Sequence, residues 1–305
     1  MAIKLVAAVT DGRWFDLLRR KPELQEVNHW APNPRGFKAL GPGEMFLFKL
    51  RRQGDLIVGG GVFAYANVLP CSLAWEAFGE ANGAITAGEM RKRIAGLRRV
   101  DSHGRHDFEI GCRILTQPFF FPESDWFSAP NWKSNIMTYK TYSTENADGL
   151  QLWEAVQERL NRANAPDLTE VADRFGSPQL IRPRLGQGAF RVLVTDVYER
   201  RCAVTRERTL PALEAAHIRP YRHGGMHVEQ NGLLLRRDIH TLFDRGYVTV
   251  APDLRFEVSG RIKEEFENGR DYYRFHGCQI NAPDDIDLRP DPAVLTWHNE
   301  NCFMG

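Results

Sequence analysis

Long apolar runs are missing from this 305-residue chain, and no stretch approaches the ~18 residues that a membrane-spanning helix needs. Cysteine is scarce and scattered. The five residues Cys71, Cys112, Cys202, Cys278 and Cys302 never form a C-x-x-C pair, which argues against a disulfide framework and an all-cysteine zinc site. Buried or inert thiols are the expectation for such residues. The opening MAIKLVAAVTDGRWF lacks the apolar core and small-residue cleavage site of a secretory signal, so the cytoplasm is the expected compartment. Internal repeats and low-complexity tracts are also missing. What remains, with 43% hydrophobic and 26% charged residues, is the composition of a soluble globular protein long enough for two domains.

A net charge of only +1 gives no overall bias toward nucleic acid, but the charge is unevenly placed. Residues 181–245 hold 12 arginines against 7 carboxylates, a net of +5, whereas residues 246–305 hold 6 basic against 11 acidic side chains, a net of −5. Guanidinium groups suit phosphate oxygens, and a solvated arginine surface would show the same count.

The first 142 residues read as mixed β structure with a few helices. MFLFKL and LIVGGGVFAY are apolar strands joined by the polar turn RRQGD, and Gly59–Gly61 should bulge the second strand and admit a close backbone approach. Thr86 and Glu89 form a capping box ahead of Met90, Ile94 and Leu97 at helical spacing. GLQLWEAVQERLNRA is an amphipathic helix with Leu152, Trp153, Val156 and Leu160 on one face. Residues 164–190 mix proline, glycine and polar side chains, as an inter-domain connection would. Beyond them come a helix ending near Arg201, a short strand PALEAAHI, a loop, the helix RDIHTLFDRG ended by Gly246, and a hairpin turning at Pro252–Asp253.

The loop region EAAHIRPYRHGGMHVEQNGLLLRRDIHTLFDRG concentrates the chemistry-bearing side chains. His217 precedes Asn231 by 14 positions, and Asn231 precedes His240 by nine. Asp244 lies four residues beyond His240, so a helix projects both side chains from one face, as half of a divalent-metal site requires. His223 and His227, flanking GGM, read as solvent-exposed loop residues, and His276 as structural.

A strand histidine, a loop asparagine and a helix histidine at these separations resemble the HNH endonucleases, whose centre is a ββα-metal fold. The resemblance spans roughly residues 181–280 and is greatest to the branch found in restriction endonucleases. It implies that His217 is the general base, that Asn231 holds the loop carrying the base, and that His240 and Asp244 bind a divalent metal, Mg²⁺ or Mn²⁺. It further implies cleavage to 5′-phosphate ends. Hydrolysis of a phosphodiester needs a water deprotonated near neutral pH and a cation facing the developing negative charge. The sequence departs from the family at Ala216, where many members carry a metal-binding Asp or His, and Glu214 could supply the missing carboxylate. Thr205, Arg236 and Ile239 stand where the family's structural zinc cysteines would, so no structural zinc is expected. Arg219, Arg222, Arg236 and Arg237 are candidate DNA contacts.

The N-terminal stretches HWAPNPRGF, GPGEMFLFKL and FFFPESDWFSAPNW resemble a PUA-like or EVE-like β-barrel, a group related to readers of modified bases. Capture of a flipped base needs aromatic faces and a few polar edge readers. Trp30, Trp75, Trp126, Phe127 and Trp132 are the candidate faces, and Asn33, Ser128 and Asn131 the candidate edge readers. Together these readings predict an α+β chain with a PUA/EVE-like reader over 1–145, a helix and linker over 146–190, and an HNH domain over 191–305. The expected activity is restriction of double-stranded DNA carrying methylated or hydroxymethylated cytosine, with no membrane partner. An HNH nuclease acting on unmodified DNA, or an inactive nucleic-acid-binding protein, remains the alternative. One centre per chain implies that a double-strand break draws on a homodimer or on transient pairing of two chains.

Overall fold

The strand Lys4–Thr10 (β1) is buried along almost its whole length, as a strand with neighbours on both edges should be. In the computed structural model, which describes residues 2–51, 54–99, 107–162 and 185–305, it lies inside a seven-stranded sheet. The chain divides into two compact units, Met1–Arg184 and Leu185–Gly305. The first continues with α1 (Gly12–Leu18), β2 (Glu26–Asn28), β3 (Met45–Leu50), β4 (Leu56–Pro70), α2 (Cys71–Phe78), α3 (Ala87–Arg98), β5 (Glu109–Phe120), β6 (Phe127–Ser128), β7 (Tyr139–Ser143) and α4 (Ala147–Arg162). Most of the connection expected over 164–190 lies outside the described residues.

β1 pairs in parallel with β3, Leu5 opposite Met45 and Thr10 opposite Leu50. A parallel pair cannot be joined by a tight hairpin, and α1 lies in the crossover. Asp11 caps α1 by accepting from the Trp14 backbone N–H at 3.0 Å. The expected hairpin is β3–β4, and its glycines have a structural purpose. A Cβ on Gly59 would collide with the Phe119 carbonyl, and one on Gly60 would sit 2.7 Å from the Phe46 carbonyl. Neighbouring strands, not a ligand, make the close approach, and the β4–β5 register shifts between Gly60 and Val62.

The expected closed barrel is not what forms. The sheet order is β2-β5-β4-β3-β1-β7, with β6 on β4, so among the described residues β2 and β7 end an open sheet. β2 has three residues, all paired to β5, and makes no bridge to β7. The amphipathic helix α4 buries Leu152, Trp153, Val156 and Leu160 against Leu5, Met45, Leu47 and Phe119, and so belongs to this unit's core. In α3 Thr86 caps the helix by accepting from the Glu89 N–H at 3.1 Å, but Glu89 accepts from the Ile85 N–H at 2.9 Å and not from that of Thr86, so half of the expected capping box forms. Met90 and Ile94 are fully buried, and Leu97 is 60% exposed.

The second unit comprises α5 (Gln187–Val197), β8 (Leu213–His217), β9 (Gly232–Arg236), α6 (Arg237–Asp244), β10 (Val248–Val250), β11 (Phe256–Val258), α7 (Arg261–Phe266), α8 (Arg270–Tyr273) and α9 (Pro292–Asn301). β8 and β9 pair antiparallel with His217 opposite Gly232, and α6 follows directly, giving the ββα order that the resemblance implied. Phe190 and Val194 of α5, Leu233 and Leu235 of β9, and Ile239 and Phe243 of α6 pack into one core. Cys202 lies in that core, and Cys71 and Cys112 are buried in the first unit, where burial pushes their thiols up to about 11 and about 12. Cys278 is exposed.

Each unit buries a neutral histidine. His29 sits among Trp14, Phe46 and Phe48, with Nε2 3.2 Å from Thr10 Oγ1. Burial, helped by Arg113, lowers its pKa to about 3. His298 stacks on Phe243 at 3.8 Å and bonds Thr249 Oγ1 at 2.8 Å, and burial lowers it to about 4. Both bind a proton more readily unfolded, near the ordinary value of 6.5, than folded. Stability is therefore lost as pH falls from that value toward the folded pKa. Thermal unfolding followed by tryptophan fluorescence should show a midpoint that drops between about pH 7 and pH 5, and a flat midpoint would contradict the burial of neutral histidines.

Candidate active site

The end of β8 and the start of β9 hold the first part of the site. Gly232 faces His217 across the ladder, and a Cβ there would run into Val194 and come within 3.1 Å of the Phe190 ring. Without that Cβ the Phe190 ring reaches the strand pair and stacks on the His217 imidazole, centroids 3.8 Å apart and planes 12° from parallel. His217 is half-buried. Burial, with His227 and His240 nearby and Asp244 partly opposing them, lowers its pKa to about 4, so near pH 7 the ring is neutral and able to take a proton.

The loop between the strands is gathered by Asn231, which is 2% exposed. Its Oδ1 accepts from the Arg219 backbone N–H at 2.8 Å, and its Nδ2 donates to the carbonyls of Arg219 and Met226, both at 2.9 Å. Three of the amide's four bonding positions are thus used on one loop. Gly225 fits beneath, where a Cβ would collide with the Arg219 carbonyl. Arg219 is tied further by its Nε, which donates to the His223 carbonyl at 2.6 Å, and by its guanidinium over the Trp297 ring at 5.2 Å.

α6 supplies the second part. His240 Nε2 lies 3.4 Å from Asp244 Oδ2, one helical turn away, while His240 Nδ1 lies 2.9 Å from Glu214 Oε2 on β8. Burial pulls the His240 pKa down, but hydrogen bonds to Asp244 and Glu214 and their charges outweigh it, so the net shift is upward. Burial would raise the Glu214 carboxyl, yet His240 and Arg237 hold it below the usual range.

The donor set fits a divalent cation on one side of the imidazole only. Nε2 and the Asp244 carboxylate converge as two ligands would, leaving the remaining positions to water and phosphate oxygens, as Mg²⁺ prefers. Glu214 sits on the opposite nitrogen, where a carboxylate orients a ligating histidine and fixes its tautomer. Glu214, expected as a third ligand, therefore does not converge with the other two, and among the described residues no group of three or more His, Cys, Asp or Glu is arranged to hold a metal ion. Ala216, where a ligand was missing, is fully buried in the core, and so is Ile239.

The four candidate DNA contacts are unequal. Arg236 makes a two-pronged pair with Asp238 at 2.6 and 2.7 Å, and Arg237 donates to Glu214 Oε1 at 2.8 Å. Arg219 pins the loop, so only Arg222 stands exposed without a hydrogen bond or ion pair to a described residue. His227, expected as a solvent-facing loop residue, instead points its Nδ1 at His217 Nε2 across 2.9 Å. Only the Gly-Gly turn ahead of it hinted that the chain folds back there. His276 accepts from the Val258 N–H at 3.0 Å, a structural bond.

In the first unit the eight candidate pocket residues do not form one site. Trp30 is buried and donates Nε1 to the Asn82 carbonyl at 2.8 Å, and Trp75 is half-buried on α2. Trp126, Phe127 and Trp132 pack against the core under α4, Trp126 donating to the Phe121 carbonyl at 2.9 Å. Asn131 donates to Asp148 at 2.7 and 2.9 Å, while Ser128 and Asn33 are exposed. A cleft of about 890 Å³ lies elsewhere, lined by Thr10, Arg13, Arg51, Lys92, Arg93 and Leu97 among others, and none of the eight lines it.

Residues 202–251 match the family described as HNH endonuclease, a span that contains His217, Asn231, His240 and Asp244. The chain is therefore an enzyme with an HNH endonuclease domain, a class of metal-dependent nucleases that hydrolyse DNA. A solved structure titled modification dependent TagI restriction endonuclease aligns over 98% of this chain and 81% of its own, at 13% identity and a TM-score of 0.30, too low to establish a shared fold. No curated protein matches the chain. No described helix is long and apolar enough to cross a membrane.

Asn231→Ala should lower the unfolding free energy of the second unit by about 1–3 kcal/mol, because it strands buried backbone groups. Urea denaturation checks this, and unchanged stability would contradict the clamp. Glu214→Gln should weaken Mn²⁺ binding by about 10- to 100-fold, as loss of an orienting carboxylate does. Asp244→Asn should weaken it further in the same calorimetric titration, and equal losses would make Glu214 a ligand.

Proposed function

We propose that the chain restricts double-stranded DNA bearing modified cytosine, methylated or hydroxymethylated, with the first unit as reader and the second as nuclease. The observation that carries the nuclease half is the pairing of a neutral His217 with the His240–Asp244 edge. His217 Nδ1 makes no hydrogen bond to a described residue, so it can accept the proton of a water attacking phosphorus. His240 and Asp244 would hold the cation, and Glu214 would orient His240. A bound Mg²⁺ or Mn²⁺ would supply positive charge to the oxygens that become negative during cleavage. Asn231 keeps the loop carrying the base in register, and Arg222 is placed to meet a phosphate.

Selectivity needs a second surface, because a centre of this kind meets phosphates rather than base edges. The first unit is a separate folded body that could provide one. In its 890 Å³ cleft Asp11 and Glu89 are engaged by Arg93 and Asp16 by Arg19, whereas Arg13 and Lys92 have no carboxylate partner among the described residues. Those cations support entry of a nucleic-acid backbone there. Two chains would cooperate, as a homodimer or transiently on DNA, to break both strands.

Modified and unmodified plasmids incubated with Mg²⁺ or Mn²⁺ test the proposal. Cutting should require modification, stop with a chelator and be lost in His217→Ala. Equal cutting of both plasmids would remove the reader function, and cutting by His217→Ala would remove the assigned base.

A further inference from the structure

Resting on the reading of His217 as the base, we infer that His227 is the positioning residue that sets the tautomer of His217, leaving the Nδ1 lone pair free for the attacking water. Only one proton can lie between His217 Nε2 and His227 Nδ1, which are 2.9 Å apart. If His227 donated it, His217 Nε2 would be the unprotonated nitrogen and Nδ1 would carry a proton, which disables the base. If His217 donates it, Nδ1 is the acceptor and the second ring acts as a fixed partner. A neighbouring acceptor has this effect wherever a histidine base is oriented by a hydrogen bond on its other nitrogen.

The surroundings hold His227 to this task. Its ring lies against Tyr221, centroids 5.1 Å apart and planes 10° from parallel, and edge-on to His217 at 68°. Phe190, stacked on His217, also borders His227 at 5.8 Å. The backbone that delivers it is the segment Asn231 clamps, since the Met226 carbonyl, immediately before His227, accepts from Asn231 Nδ2 at 2.9 Å. The site thus contains an acceptor aimed at the far nitrogen of the base, held by stacking on one side and by a buried amide on the other. When His217 takes the water's proton at Nδ1, the water oxygen's freed electron pair forms a bond to phosphorus as the P–O3′ bond breaks, and the departing 3′-oxygen takes a proton from solvent. The cationic His217 keeps its Nε2–H donated to His227, and no proton passes to His227.

His227→Phe keeps a flat ring beside Tyr221 but removes the acceptor, whereas His227→Asn places an oxygen close to where Nδ1 was. Measured on the cleaved plasmid beside His217→Ala, the Phe variant should lose kcat by about 10- to 100-fold with KM unchanged, and the Asn variant should recover most of it. In ¹⁵N-resolved NMR, His217 should show a protonated Nε2 in the wild type and the Asn variant, and a mixture of tautomers in the Phe variant. Equal losses in Phe and Asn variants, a loss confined to KM, or a His217 carrying its proton on Nδ1 in the wild type would overturn the inference. An inactive His217→Ala with a fully active His227→Phe would overturn it while leaving the base assignment intact. Full activity in His217→Ala would overturn both.

Discussion

Asn231 is a buried amide whose hydrogen bonds gather the loop between β8 and β9. The segment from Arg219 to Met226 contains no strand and only one short helical turn, and its backbone is anchored to a side chain that lies immediately before β9. Remove those bonds and the loop can move away from the strand end, taking His227 from His217 and Arg219 from Trp297. Buried amides left partly unpaired are costly, so the loop and the asparagine specify one another. Gly225 and Gly232 serve the same arrangement by giving up side-chain volume where backbone and ring must pass closely.

Within that frame two histidines are driven in opposite directions. His217, stacked on Phe190 and partly desolvated, is held neutral; His240, between Glu214 and Asp244, is favoured in its charged form while no cation is bound. Divergent environments of this sort separate a proton acceptor from a group that welcomes positive charge. A divalent ion on the Nε2 side of His240 would meet the Asp244 carboxylate, while Glu214 keeps the Nδ1 side. The neighbouring arginines are largely occupied, Arg236 by Asp238 and Arg237 by Glu214, so the local excess of arginine counted along the chain overstates the charge offered to DNA.

Much of this centre was legible in the sequence because its parts lie within a continuous stretch and obey local periodicities. The strand, the loop asparagine and the i, i+4 pair on α6 need only short-range geometry to be placed. What escaped was set by contacts across the loop. His227 looked like a loop residue because nothing within a few positions shows the turn that returns it to His217, and Glu214 looked like a ligand because a strand pattern does not say which imidazole nitrogen it meets. In the first unit the hairpin, the Thr86 cap and the amphipathic α4 were local and readable. Barrel closure was not, because it depends on whether the short β2 meets β7, two edges far apart in the chain. The tryptophans misled for a related reason. Trp30 and Trp126 satisfy backbone carbonyls inside the fold, and composition around them cannot distinguish that from lining a pocket.

The most direct test of a single cation held by one edge of His240 is the position of the ion itself. Anomalous scattering from a Mn²⁺-soaked crystal should place one peak within bonding distance of His240 Nε2 and the Asp244 carboxylate, with Glu214 still bonded to Nδ1. A peak ligated by Glu214, or one lying between His217 and His227, would contradict the account.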